Sequence, residues 1–179
     1  MFIYGSAYPV GKIGTDQIPP LFMASLRVFF VFLFIFPFFK FSIPKKQFFN
    51  LFVFSFVMGF LTYGCLYLAL DFSSLVSPII IGAQLSVPFG LLLSKFMLGE
   101  EISNKKWFFI FTAFAGIFIV AYDPRFVGEI YGIIAIVMMA FFYGLANNMS
   151  RHLKEVDTVT QLGWHSIIGF IFLMFSSLV

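Results

Sequence analysis

Residues 75–98 read LVSPIIIGAQLSVPFGLLLSKFML. At about 1.5 Å rise per residue, a helix of this length reaches across a hydrocarbon layer of ~30 Å. Its only charge, Lys95, lies near one end. Five more apolar runs flank it: Pro20–Phe39, Phe48–Leu70, Trp107–Tyr122, Ile130–Asn147 and Gln161–Val179. Within all six, the formal charges are Arg27 and Lys95. Hydrophobic residues make up 61% of the chain and charged residues 11%, against about 25% charged in a soluble protein. The runs are continuous rather than alternating, and twice the ~10-residue segments of a membrane β-barrel. Lipid offers no partner to backbone N–H and C=O groups, so these spans must be helices. The expected fold is an all-α membrane protein, a polytopic helix bundle, with the lipid bilayer as its first partner.

Charge in the loops predicts orientation. Lys40, Lys45 and Lys46, then Lys105 and Lys106, then Arg151 and Lys154 occupy alternate loops. The opposite loops hold only Lys12 and Arg125. The positive-inside rule places the seven in the cytoplasm, which makes the expected location the cell's inner (plasma) membrane. The net charge of +3 belongs to this asymmetry. With no basic groove carrying aromatic residues, nucleic acid is not an expected partner. The lone Cys65 lies within a span and reads as a small apolar residue.

The chain also carries a trace of internal symmetry. Met1–Lys12, MFIYGSAYPVGK, aligns with Ala140–Arg151, AFFYGLANNMSR, at Phe2, Tyr4, Gly5 and Ala7 against Phe141, Tyr143, Gly144 and Ala146. The segments lie five spans apart, so they cross in opposite directions, as in an inverted-topology repeat. The expected organisation is a first repeat over 1–123, its first helix incomplete, and the start of a second over 128–179, with two helices. On that reading the bundle is part of a longer fold, and the chain alone is expected not to transport.

Several stretches resemble the drug/metabolite transporter superfamily, specifically its EamA-type domain. They are PPLFMASLRVFF (19–30), TYGCLYLALDFSS (62–74), LGEEIS (98–103) and KKWFFIFTAFAGIFIV (105–120). Glu101 departs from the family pattern, where a basic residue usually follows Gly-Glu. IGAQ (81–84) is similar to a stretch in the branch that exports cysteine-pathway metabolites and other amino-acid derivatives. The resemblance implies a ten-helix inverted-repeat transporter fold, of which this chain is a part. It implies movement of small polar, amino-acid-like substrates by alternating access. Two alternatives stand beside it: uptake of a nucleoside-type metabolite, and a non-transporting fragment that needs a second chain or further copies of itself.

Pathway candidates follow from where polar groups sit inside spans. Pro78 and Pro88 remove backbone donors from the 75–98 helix. Interrupted helices at mid-membrane are where transporters bind substrates. Ser77, Gln84, Ser86 and Pro88 are therefore expected to line a pathway; the alternative for Gln84 is a hydrogen bond to a neighbouring helix. Tyr63 and Tyr67 are four apart and share a face, offering hydroxyls to a substrate or forming part of an aromatic belt. Tyr8 and Asn147 occupy equivalent places in the repeat alignment. Gly59 and Gly64 are expected at close helix contacts. Arg27 is expected to snorkel to the outer headgroups, and His165, beside Trp164, to anchor an interface. No metalloprotease, serine-hydrolase or nucleotide-binding motif occurs, and all Asp and Glu lie in loops. The chain is not expected to be an enzyme or to carry a cofactor or metal.

Overall fold

The computed structural model describes residues 2–39, 45–122 and 129–178, and all of its regular structure is helical. The helices are α1 (Phe2–Thr15), α2 (Pro20–Ile35), α3 (Phe48–Phe56), α4 (Tyr63–Phe72), α5 (Val76–Ala83), α6 (Ser86–Leu98), α7 (Asn104–Tyr122), α8 (Ile130–His152) and α9 (Thr158–Ser177). Among the described residues, five stretches are long and apolar enough to cross a membrane: Pro20–Phe38, Phe48–Phe72, Val76–Leu98, Ile130–His152 and Thr158–Ser177. The sixth run forms α7. Phe34, Phe96, Phe108, Phe118 and Phe175 stand exposed on the outside, where a bilayer would cover them.

Two spans are irregular inside. Phe48–Phe72 joins α3 to α4 through a π-helical segment, Val57–Thr62, and the Thr62 hydroxyl donates to the Val57 carbonyl at 2.9 Å. Val76–Leu98 breaks between α5 and α6. Pro88 has no N–H for the carbonyl of Gln84, and that carbonyl instead accepts from the Val87 N–H at 3.2 Å. Leu85 N–H similarly turns back to Gly82 at 3.0 Å. The Pro88 break therefore leaves a satisfied tight turn, not the free carbonyl that proline alone implies. α6 ends at Gly99, whose φ of 67° is left-handed and suits a residue without a side chain.

Helix ends differ from the sequence boundaries for local reasons. α8 runs on to His152, so Asn147 and Asn148 lie within the helix and do not close it. α9 starts at Thr158 because Asp157 caps it, accepting from the Thr160 N–H at 3.3 Å and hydroxyl at 2.6 Å.

α8 runs through the bundle, packing on α4, α5 and α6, while α9 lies against α2, α3 and the π segment. A main core joins Ala24 and Val28 of α2, Leu66, Tyr67 and Leu70 of α4, Ile79 of α5, Ile136 of α8 and Leu173 of α9. Small residues set two crossings. At Gly169 an added Cβ would lie 2.7 Å from the Gly59 carbonyl oxygen, and one at Gly59 would strike the His165 carbonyl. Gly144 and Gly90 meet likewise, where a Cβ on Gly144 would stand 2.8 Å from the Gly90 nitrogen. Asn148 fastens that contact, its Nδ2 donating to the carbonyls of Gly90 and Gly144, both at 2.9 Å.

Polar contacts join loops at each end of the bundle. Arg151 pairs with Glu100 at 3.0 Å, which holds the α6–α7 and α8–α9 connections at one end. At the other, the Glu129 carboxylate accepts from the hydroxyls of Ser73 and Ser74 and from the Ser74 N–H at 2.9 Å. Burial raises the pKa of this carboxyl, but those hydrogen bonds and the Lys12 charge outweigh it and hold it below the ordinary glutamate range. The two ends match the alternation of loops expected from the lysines. Lys40 and Arg125 lie outside the described residues, as do Gly128 and Val179 of the expected second repeat.

Candidate functional site

A cavity of about 280 Å³ opens among α1, α2, the π segment, α4 and α8, near the middle of the spans that bound it. Its polar lining is Tyr8, Arg27, Thr62, Tyr63, Ser86 and Tyr143; Met58, Leu66, Met139 and Leu162 are among its apolar walls. The π segment adds a residue to the turn and brings Met58 and Thr62 to the cavity. The α5–α6 break starts a new helix at Ser86, which lines it. Tyr63 follows the π segment directly.

Of the residues singled out from sequence, the structure brings Tyr8, Tyr63 and Ser86 together around this space. Pro88 is buried outside the lining. Ser77, Gln84 and Asn147 are exposed on the bundle surface. Buried Asn148, not Asn147, reaches across to α6.

Arg27 departs from the snorkelling expectation. Its guanidinium lies over the Tyr63 ring, 5.2 Å from the centroid. Tyr63, Tyr67 and Tyr8 are its electrostatic neighbours. No carboxylate is among these partners. The direction of Arg27 depends on tyrosines from α1 and α4, which one helix's pattern does not report. His165 also departs from expectation. It is 2% exposed and stacks on the same Tyr63 ring, with centroids 6.1 Å apart, so it belongs to the interior behind the cavity wall. Lys95 lies over the Trp107 ring at 5.4 Å. Tyr143 and Thr62 were not singled out from sequence. The repeat alignment did pair Tyr143 with Tyr4, and the hydroxyl of Thr62 inside an apolar run was the signal available for the other.

No group of three or more His, Cys, Asp or Glu residues among the described ones could hold a metal ion. Chemically, the described lining offers the Arg27 cation, several hydroxyls and aromatic faces within an apolar bundle. That is a binding arrangement for a small polar molecule.

Comparison with known proteins agrees with this architecture. The family model described as the EamA-like transporter family matches residues 1–122. The chain is similar, at 25% identity over 186 residues, to a protein of Bacillus subtilis (strain 168) named as the uncharacterized transporter YoaV. That match covers 99% of this chain and 63% of the relative's length. No solved structure matches the chain.

Proposed function

The chain belongs to the EamA-like transporter family, and from that premise we propose that its cavity is a substrate site for small polar, amino-acid-like metabolites moved across the cell's inner membrane by alternating access. The observation that carries this reading is the polar lining of a cavity at mid-span, bounded by two interrupted helical stretches. A π segment and a broken helix beside one cavity are elements that can change conformation without unfolding a span. Polar residues inside a membrane bundle are costly and mark pathways. The cavity is close to the lower end of the range of about 300–1,000 Å³ typical of ligand pockets, which suits a molecule of amino-acid size. The chain spans 63% of the length of the relative it matches.

The test uses intact cells, so that any partner is present. Cells producing the chain are compared with cells producing its Tyr63→Ala variant, and small metabolites in the medium are profiled over growth. The expected result is a changed level of one or a few amino-acid derivatives, reversed by the variant. Identical profiles at equal membrane abundance would reject transport through this cavity.

A further inference from the structure

We propose that the cavity selects anions: it takes a small carboxylate with an otherwise neutral body, such as a free organic acid or an N-acylated amino acid, with Arg27 holding the carboxylate. This rests on the cavity being a substrate site. The argument begins with what surrounds Arg27. A charged side chain within a span is costly unless something relieves it. Here it is relieved by the Tyr63 face and the Tyr67 side chain, not by a carboxylate. Aromatic faces and neutral hydroxyls leave the positive charge in place. A guanidinium carries five N–H donors in a planar fork that matches a carboxylate in two-point contact, and its neighbours Tyr63, Tyr67 and Tyr8 bring no negative charge to it.

The rest of the lining decides between kinds of carboxylate. Tyr8, Thr62, Tyr63, Ser86 and Tyr143 supply hydroxyls, and among the described residues no Asp or Glu lines the cavity. At the adjoining end of the bundle, Asp16 pairs with Lys12, Glu129 accepts from Ser73 and Ser74, and Asp71 is exposed outside the lining. An α-ammonium group brought in beside the carboxylate would find no acidic partner and would lie near Arg27, with a like charge. A neutral hydroxyl, amide or ring at the same place meets hydroxyls and aromatic faces without that cost. The chemistry therefore favours a net anion over a zwitterion, and a zwitterion over a cation.

The experiment reads the sign of the field at Ser86. In a Cys65→Ser background, Ser86→Cys is reacted in membranes with three thiosulfonates of similar size: an anionic sulfonatoethyl, a cationic trimethylammonioethyl and a neutral hydroxyethyl reagent. Each rate is divided by that of the same reagent with a small free thiol. The expected result is an anionic rate at least about tenfold above the cationic one, a ratio that collapses in Arg27→Gln and persists in Arg27→Lys. Potassium 3-phenylpropionate should slow the modification, while phenylalaninamide should not. That protection is measured with Arg27 intact, so it stands even if the glutamine variant fails to insert. Equal normalised rates, or a faster cation, would overturn anion selection while leaving the cavity accessible as a pathway. Failure of all three reagents to react would instead reject the cavity as a substrate site, and the anion proposal with it.

Discussion

Asn148 and Asn147 are adjacent and chemically identical, yet they hold opposite positions. Asn148 is 2% exposed and donates to both Gly90 and Gly144, while Asn147 faces outward. In membrane proteins such interhelical bonds average about 0.6 kcal/mol and reach ~1.7. Asn148→Leu should therefore lower stability to unfolding in detergent by about that range or more, since it also enlarges a side chain beside two glycines. Asn147→Leu should leave stability unchanged. Equal effects would show that the α6–α8 crossing is not fastened by Asn148. Glu129 gives a second prediction at this scale. Its folded pKa is depressed, so its contribution is full above the ordinary glutamate pKa and is lost as pH falls through the lower folded value. The native chain should hold its stability from neutral pH down to the glutamate range and lose it below. Glu129→Gln should be less stable at pH 7 and flatter with acid. Parallel pH profiles for the two proteins would refute the tie to Ser73 and Ser74.

At the scale of elements, the crossing of the π segment with α9 is the most demanding contact. Gly169→Val would place a branched side chain where even a Cβ lies 2.7 Å from the Gly59 carbonyl oxygen, a backbone atom that cannot rotate aside. Overpacking of this kind costs about 1–3 kcal/mol. The variant should unfold at lower denaturant, whereas Gly116→Val, with open space around it, should not. Loss of stability in both would point to helix propensity as the cause. The elements also show how far sequence reaches. Spans were legible because hydropathy over about twenty residues is decided by solvent alone. The α5–α6 interruption was legible as a proline effect, but its position at Gln84–Leu85 follows from which N–H replaces the missing one. The π segment left no sequence signature, since an i→i+5 bond suits the same apolar residues as an α-helix. Of the site, Tyr63 and Ser86 were legible as polar groups within spans, and Tyr8 through the repeat alignment. The direction of Arg27 and the burial of His165 were not, because both depend on the Tyr63 ring of a neighbouring helix.

For the whole molecule, the two tied ends predict a topology. Glu100 and Arg151 fix two connections at the end rich in lysine, and Glu129 with Ser73 and Ser74 fixes the other. In the Cys65→Ser background, a cysteine at position 154 should be shielded from an impermeant reagent added to whole cells, and one at position 71 should react. The reverse pattern would invert the bundle and with it the cytoplasmic assignment. The central claim, however, concerns the space inside: that a polar cavity at mid-membrane opens in turn to each side. Thr62→Cys tests it most directly, because Thr62 lines the cavity from the π segment, 3% exposed and far from either end of its span. A small neutral thiosulfonate is applied to sealed right-side-out vesicles and, separately, to inverted ones, with a thiol scavenger in the lumen. Modification from both sides, against none at lipid-facing Phe52→Cys, is the predicted result. A position 62 that stays inert from both sides, or reacts from one side alone, would contradict alternating access through this cavity.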